Sequence, residues 1–95
     1  MTIKSFKRPE IRLFFETGKE PRKEGWVVVA NVVKRTLDMI HYAAILTDLK
    51  APPNNRLEAR KDNLKGFYSI RINDQWRIIF RWNRDAEDVD IVDYH

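Results

Sequence analysis

The sequence predicts a small α+β domain in which two N-terminal helices pack on one face of an antiparallel β-sheet. Its 95 residues are enough for a single domain, 1–95, and its apolar fraction of 43% beside a charged fraction of 34% is typical of a folded globular chain. Two patterns predict the class: apolar residues recur at helical spacing in the first half, and they alternate with polar residues in the last third. Helices followed by a run of strands are typical of layered α+β domains.

The first half of the chain predicts a short strand followed by two helices. Residues 2–6 alternate in polarity, and the first helix lies between Pro9, which suits a first helical turn, and Gly18, which suits a helix end. After a polar loop over 18–25, the segment 26–49 predicts one long helix. The valines over 27–29 favour a strand locally, but the helical spacing is longer and outweighs them. The predicted buried stripe is Trp26, Val29, Ala30, Val33, Leu37, Ile40 and Ala44.

The second half predicts a stiff loop and then an antiparallel meander. Pro52 and Pro53 restrict the loop over 51–56, and a charged turn follows over 60–66. The predicted strands are 57–59, 67–72, 76–82 and 88–94, with turns at 73–75 and 83–87.

Polarity selects the register of the hairpin whose loop follows Ile72. A two-residue loop would place Ile70 opposite Arg77 and would mix apolar and charged residues on one face. A three-residue loop over 73–75 gives one continuous apolar face instead. Its pairs are Ile72 with Trp76, Ile70 with Ile78, and Tyr68 with Phe80.

This register places Arg71 directly opposite Arg77 on the other face of the sheet. Like charges in that position destabilise a sheet by about 0.2–1 kcal/mol, so an anion is expected between them. One candidate is internal, the Asp93 carboxylate on the next strand. The other is a bound phosphate, whose oxygens suit the planar fork of a guanidinium group.

Charge and cysteine content restrict the classes of function. The 18 basic and 14 acidic residues give a net charge of +4 and a pI near 9.6, which suits a phosphate-bearing or acidic partner, or serves solubility alone. The absence of cysteine excludes disulfides, thiolate catalysis and zinc fingers. With His41 and His95 as the two histidines, we expect no metal site and no cofactor. No segment is long and apolar enough to span a membrane or to serve as a signal peptide, so we expect a cytoplasmic protein that does not bind membranes.

The end of the chain brings a carboxylate, a phenol and an imidazole together in Asp93, Tyr94 and His95. Imidazole suits proton transfer near neutral pH, which makes His95 a candidate acid or base. Strand alternation places Asp93 and His95 on one face and Tyr94 on the other. The alternative is a frayed terminus without function. His41, on a helix flank, is predicted to have no catalytic role.

Four stretches of the sequence carry a resemblance to a known family. They are Ile3-Lys4-Ser5-Phe6, Pro52-Pro53-Asn54-Asn55-Arg56-Leu57-Glu58, Tyr68-Ser69-Ile70-Arg71-Ile72-Asn73-Asp74-Gln75-Trp76-Arg77-Ile78, and Asp90-Ile91-Val92-Asp93-Tyr94-His95. Over essentially its whole length the chain resembles the RelE/ParE superfamily of bacterial toxins, in its HigB branch.

The resemblance implies a RelE-like fold and an endoribonuclease that cuts messenger RNA in the ribosomal A site, inhibiting translation. It also implies neutralisation by a helix-turn-helix antitoxin of the HigA kind, with operator DNA contacted only through the toxin–antitoxin complex. Because the sequence shows no evident metal site, we expect metal-free cleavage by attack of the ribose 2′-hydroxyl. A related toxin of the same fold that inhibits DNA gyrase without cleaving RNA is the alternative, and a module that only binds an acidic antitoxin segment is another.

The resemblance also assigns roles to individual residues. Arg77 matches a sheet arginine that stabilises the scissile phosphate, and Lys61 matches a lysine implicated in RNA contact or charge stabilisation. Asp93, Tyr94 and His95 match the functional C-terminal end. Glu58 stands where better-known HigB toxins carry a histidine, which makes it a second candidate base and leaves the division of acid and base roles open. Further candidates for RNA contact are Arg71, Arg56, Lys34 and Arg35, although surface lysines and arginines of this kind also form solvated rims.

Overall fold

A four-stranded antiparallel sheet forms the C-terminal half of the protein, and its strands lie in chain order. The computed structural model describes residues 2–51 and 55–94. The strands are β1 (Glu58–Ala59), β2 (Phe67–Arg71), β3 (Trp76–Asn83) and β4 (Asp85–Asp93). The predicted α+β class and meander are confirmed. The predicted loop over 51–56 lies partly outside the described residues, because positions 52–54 belong to the undescribed part.

Two α-helices precede the sheet. Helix α1 (Pro9–Thr17) starts at the predicted proline and ends at Gly18, whose φ of 78° lies in the left-handed region that glycine adopts without a steric penalty. Helix α2 (Ala30–Tyr42) buries Val33, Leu37 and Ile40. No helix of the described residues combines the length and apolar character needed to cross a lipid bilayer.

The prediction of one long helix over 26–49 is wrong. The valine-rich stretch Gly25–Val29 forms a 3₁₀ helix, and the backbone leaves helical geometry at Val29, so α2 starts only at Ala30. Beyond α2 the chain turns at Ala43 and forms a second 3₁₀ helix, Leu46–Lys50. The valines over 27–29 are β-branched and have a lower helix propensity, which favours the first break. At the second break, the Asp48 carboxylate accepts hydrogen bonds from the backbone N–H groups of Ala44 and Ile45, at 2.9 and 3.1 Å.

The break also changes which residues are buried. Trp26 lies in the core, as the stripe predicted, and Leu49, which was not part of the stripe, is also buried there, in a separate segment. Ala44, predicted to be buried, is exposed, and Ala43 takes its place in the core. Helical spacing therefore identified most of the apolar face but not the interruptions in the backbone.

The helices cover one face of the sheet, and the predicted hairpin register is confirmed. Ile70 pairs with Ile78 and Tyr68 with Phe80, while the Ile72 N–H donates to the Trp76 carbonyl at 3.0 Å. The main core lies between this face and the two helices, and its sheet residues include Ile70, Ile72, Ile78, Phe80 and Ile91. The opposite face carries Arg71 directly across from Arg77, as predicted.

Strand β4 starts earlier than predicted. The turn expected over 83–87 contracts to Arg84, whose φ of 67° lets Asn83 pair directly with Asp85. A register shift follows where Asp88 adopts a φ of 53°. Such a bulge bends the strand and leaves its inward alternation intact on both sides. Polarity alone did not reveal this, because the bulge interrupts the alternation between Ala86 and Val89.

The N-terminal segment runs parallel to the outer edge of β4. The strand predicted over 2–6 takes the form of two isolated parallel bridges, Ile3 with Ala86 and Phe6 with Val89. Asp85 holds the start of the segment in place. Its carboxylate accepts a hydrogen bond from the Thr2 N–H at 3.0 Å and forms an ion pair with Lys4 at 3.4 Å. Covering an edge strand in this way removes a surface on which other chains could pair.

We predict that acid loosens this N-terminal segment. The Thr2 hydrogen bond, helped by Lys4, lowers the pKa of Asp85 below its usual 3.8. A carboxylate whose pKa is lowered by folding stabilises the folded state above its unfolded pKa, and this contribution disappears as the pH falls through the folded value. Hydrogen-exchange protection of the Lys4 and Lys7 amides should therefore decrease below about pH 4. Asp85→Asn should show the low protection at every pH, and unchanged protection in that variant would contradict the prediction.

Candidate active site

A cleft of about 430 Å³ opens on the sheet face that the helices do not cover. Its floor is formed by β2, β3 and the end of β4, and one wall is the turn that follows β1. The lining residues are Arg60, Asn63, Leu64, Ser69, Arg77, Ile79, Val92, Asp93 and Tyr94. Basic, aromatic and apolar side chains therefore meet in one concave surface, which is the usual form of a ligand site.

Arg77 is the most buried charged side chain of this cleft, with 9% of its surface exposed. Its Nη1 donates to the backbone carbonyls of Asn73 and Trp76, and the Tyr94 ring lies 4.2 Å from its Cζ. Burial lowers the pKa of Arg77 from its usual value, and the nearby positive charge of Arg71 acts in the same direction. Among the described residues the hydrogen bonds of Arg77 go to backbone oxygens, so its charge remains available to an anion.

Arg71 has an acidic partner, but not the one considered from the sequence. Its Nη2 donates to the Asp74 carboxylate at 2.6 Å, and this bond, with the charge of Arg71, lowers the pKa of Asp74. Asp93, the internal partner considered for the arginine pair, pairs across the sheet with Trp76 and accepts a hydrogen bond from the Gln75 amide at 3.0 Å. The anion beside the arginine pair is thus supplied by the hairpin loop.

The C-terminal end of the described chain reaches into the cleft. The Tyr94 N–H donates to the Gln75 carbonyl, which fixes Tyr94 next to the hairpin loop. Its ring lies 4.2 Å from the Arg77 Cζ and also faces Arg60 at 5.3 Å, whereas from the sequence Asp93 was the residue considered for the arginine face. His95 lies outside the described residues, so its predicted role in proton transfer stays a prediction.

Residues at the β1 end of the cleft divide into two groups. Glu58 pairs with Ser69, so it shares the face of the cleft, and its charge reaches Arg77. Its carboxylate lies 4.0 Å from Arg60 and is 59% exposed. Lys61 is exposed and lines a shallow depression beside Glu58 and Arg60 rather than the cleft itself. Its predicted contact with RNA stays a prediction.

Sequence reasoning missed Arg60 and Ser69. Both could have been found by extending the strand alternation from Glu58: Arg60 lies two residues further on the same face, and Ser69 lies directly across from Glu58. Ser69 is 1% exposed, and its hydroxyl has no hydrogen-bond partner among the described residues.

The remaining predicted contacts lie around the cleft rather than within it. Lys34 is paired with Asp38 at 2.7 Å and covers the Phe15 ring, whereas Arg35 and Arg56 are exposed. His41 accepts a hydrogen bond from the Ile3 N–H through Nδ1, at 3.2 Å, and is not part of the cleft lining. Its position beside the N-terminal segment agrees with a structural role.

The arrangement suits binding of a phosphodiester and stabilisation of negative charge on it. Two guanidinium groups, Arg77 and Arg60, line the cleft, with Arg71 directly opposite the first. A tyrosine ring next to them offers a stacking surface for a nucleobase. No cluster of three or more histidine, aspartate or glutamate side chains suited to a metal ion occurs in residues 2–51 and 55–94.

We predict that Ser69→Ala leaves the folded state as stable as before or stabilises it by up to about 1 kcal/mol. A buried hydroxyl without a partner costs desolvation energy, and alanine removes that cost. Thermal and urea unfolding of the variant measure the change. Thr36→Val is the matched control, because the equally buried Thr36 hydroxyl donates to the Val32 carbonyl at 2.8 Å, and its loss should destabilise by about 1 kcal/mol. A clear destabilisation by Ser69→Ala would contradict the prediction.

Comparisons with known proteins point to one family of toxins. The family described as RelE-like toxin of type II toxin–antitoxin system HigB matches residues 4–95. Toxin HigB-1 of Vibrio cholerae is 39% identical over 81% of this chain and 80% of its own length. A relative named endoribonuclease HigB, from Proteus vulgaris, is 33% identical over 98% of this chain and 99% of its own length. An uncharacterised Haemophilus influenzae protein is 36% identical over 68% of this chain.

The match spans all the elements described above, from the N-terminal segment that lies along β4 to the closing residues of the cleft. The resemblance stated from the sequence is thereby confirmed, including the expectation of a RelE-like fold. The chain belongs to the HigB family of RelE-like toxins of type II toxin–antitoxin systems.

Proposed function

We propose that this toxin is a ribosome-dependent endoribonuclease that cleaves messenger RNA in the A site. The observation that carries the proposal is Arg77: a nearly buried guanidinium group at the floor of a cationic cleft, hydrogen-bonded to backbone carbonyls and stacked under an aromatic ring. Maintaining a buried positive charge with no carboxylate bonded to it is unfavourable for folding. Stabilising a phosphate that gains negative charge during a reaction would explain why the protein keeps this unfavourable buried charge. The name of the Proteus vulgaris relative, endoribonuclease HigB, supports the endoribonuclease part of this proposal.

The reaction we propose is attack of the ribose 2′-oxygen on the adjacent phosphorus. The bond from phosphorus to the 5′-oxygen breaks, leaving a 2′,3′-cyclic phosphate and a free 5′-hydroxyl. The step needs a base for the 2′-hydroxyl proton, positive charge for the pentavalent phosphorane, and an acid that protonates the leaving oxygen. All three can be supplied by side chains.

The positive charge is assigned to Arg77, assisted by Arg60 and Arg71. An interaction that strengthens as negative charge develops lowers the barrier, because it stabilises the transition state more than the bound substrate. The apolar side chains of Ile79 and Val92 beside Arg77 lower the local dielectric constant and reduce screening of that interaction. Lys61, exposed at the rim, would contact RNA outside the cleft.

Proton transfer is assigned to the C-terminal residues and to Glu58 on β1. His95 is the first candidate, with Asp93 assigned to orient it, and Glu58 is the second candidate base. Tyr94 would exchange its contact with the Arg77 guanidinium for stacking on a nucleobase or hydrogen bonding to one.

Dependence on the ribosome follows from how little the chain itself offers to hold RNA. The cleft is small, about 430 Å³, so we expect much of the messenger to be positioned by another surface, which the ribosome would supply. The exposed Arg35 and Arg56 are available for contact with RNA phosphates outside the cleft. Neutralisation would come from a HigA-like helix-turn-helix antitoxin, and operator DNA would be bound through that antitoxin in the cytoplasm.

We predict that Arg77→Ala abolishes cleavage of messenger RNA on programmed ribosomes. Loss of one group that stabilises a developing charge lowers the rate by about 10²–10³-fold. Mapping of the 5′ ends of a defined messenger on stalled ribosomes, with the untagged toxin, measures this. Arg84→Asn is the matched control: it also removes one positive charge, but at the β3–β4 turn, where asparagine tolerates the φ of 67°. Equal cleavage by Arg77→Ala and the wild-type toxin would rule out the assigned role.

We further predict that a chain ending at Tyr94 binds ribosomes normally but cleaves at least about 10²-fold more slowly, because it lacks the first candidate for proton transfer. Sedimentation with ribosomes and single-turnover cleavage rates separate the two effects. Unchanged cleavage would transfer the proton-transfer role to Glu58 or Lys61. If the wild-type toxin produced no cuts while still arresting growth, gyrase inhibition would become the leading function, and DNA supercoiling assays would test it.

A further inference from the structure

A second cationic groove lies outside the cleft; the mechanism above uses Arg71 of its lining in an assisting role but does not use the groove itself. It has a volume of about 440 Å³ and runs between α2 and the end of β2. Arg35 lines it from the helix, Arg71 from the strand, and Asn55 and Thr36 add polar groups. Because Arg71 is directly opposite Arg77, the arginine pair connects this groove to the cleft.

The hydrogen-bonding groups of Arg71 are only partly satisfied in the free protein. Its Nη2 binds Asp74, but its Nε–H is buried and has no hydrogen-bond partner among the described residues. The Asp74 side chain is fully exposed, whereas that of Arg71 is only 25% exposed. An ion pair with one fully hydrated member contributes little to stability, so another anion can displace Asp74 easily.

Asp74 also lies in the field of more than one arginine. After Arg71, the charges of Arg56 and Arg77 act on its carboxylate in the same direction. The position next to Arg71 therefore attracts negative charge from whatever source supplies it. In the free protein that source is the hairpin loop itself.

We propose that the groove between α2 and β2 is a second RNA-phosphate subsite, in which Arg71 and Arg35 bind the phosphate next to the scissile one after displacing Asp74 from Arg71. This inference rests on the proposed ribonuclease function. Directly opposed residues in an antiparallel pair are about 4.5–5.5 Å apart at Cα, so Arg77 and Arg71 lie within the span of consecutive phosphates of one strand. Asp74 then acts as an internal competitor that weakens binding of RNA until the strand is held on both sides.

Continuity with the cleft favours RNA over an acidic protein segment as the occupant. A strand whose scissile phosphate is at Arg77 must continue past one side of that residue, and Arg71 lies on the neighbouring strand at the same level. An acidic segment of the antitoxin would have no such requirement to meet Arg77 and Arg71 together.

The test measures binding separately from cleavage. The probe is a fluorescent RNA hexamer with 2′-O-methyl groups, which has no free 2′-hydroxyl and cannot be cut by the proposed reaction. Anisotropy titrations over a range of KCl concentrations give its affinity and salt dependence. Asp74→Asn should bind about 2- to 5-fold more tightly than the wild-type chain, because the competing carboxylate is neutralised.

Asp88→Asn is the matched control. It removes one negative charge from the exposed ion pair that Asp88 forms with Arg81 on the same sheet. Asparagine suits the φ of 53° at position 88. This variant should leave the affinity within about 1.5-fold of wild type. Equal tightening by both variants would show only an effect of net charge and would overturn the proposed subsite.

Loss of the arginines should have the opposite effect. Arg35→Gln and Arg71→Gln should each weaken binding, and each should reduce the slope of log affinity against log salt by about 0.7, the value for one phosphate contact on a single strand. Asp74→Asn should no longer tighten binding once Arg71 is replaced. Because part of Arg71 is buried, Arg35→Gln at an exposed position keeps the test valid if the Arg71 variant folds poorly.

The outcomes separate this inference from the proposed function. Binding with the predicted pattern but without cleavage on ribosomes would support the subsite and refute the nuclease. Cleavage with no effect of Asp74 or Arg35 on RNA binding, or no binding of the probe at all, would refute the subsite. If Arg35→Gln weakened the complex with the antitoxin while RNA affinity stayed unchanged, the groove would be a protein-docking surface instead.

Discussion

The three-residue loop between β2 and β3 is the constraint on which the site depends. The Asn73 side chain closes the loop by accepting hydrogen bonds from two backbone N–H groups, at 2.9 and 2.8 Å. The loop then holds every neighbouring group: the Asn73 carbonyl accepts from Arg77, Asp74 binds Arg71, and the Gln75 carbonyl accepts from the Tyr94 N–H. A loop one residue shorter would move Arg77 to the helix-covered face, because a shift of one residue reverses the side-chain direction.

The opposed arginines show how a locally unfavourable arrangement is tolerated. Like charges in directly opposite positions cost about 0.2–1 kcal/mol. Three neutral or anionic contacts offset this: backbone carbonyls and the Tyr94 ring at Arg77, and the Asp74 carboxylate at Arg71. None of these contacts is a buried ion pair, so none of them permanently neutralises the charges of the two arginines. The sheet therefore keeps a positive potential on one face while its other face supplies most of the core.

Polarity was enough to predict the hairpin, because register decides which face each residue occupies and one face has to be apolar. It was not enough for the helices. Trp26 and Ala44 fit one helical stripe, yet the break at Val29 and the extended Ala43 depend on backbone geometry that side-chain spacing does not report. The site shows the same division. The face of Arg77 followed from alternation, whereas the contact of Tyr94 with Arg77 and the pairing of Asp74 with Arg71 did not. The pairing of Asp74 depends on loop geometry, and Arg60 was missed because β1 has only two residues to extend.

The burial of Arg77 explains why a sheet arginine, rather than the exposed Lys61, suits the central role. Charge interactions weaken with the effective dielectric constant, which is lower above Ile79 and Val92 than at the solvated rim. A guanidinium group that is held by backbone carbonyls also needs little reorganisation when negative charge develops beside it. Arginine keeps its proton even where burial lowers its pKa, whereas a lysine in the same place would lose its charge more readily. The apolar residues Ile79 and Val92 on the cleft face are therefore part of the electrostatic site, since they affect the strength with which one positive charge acts.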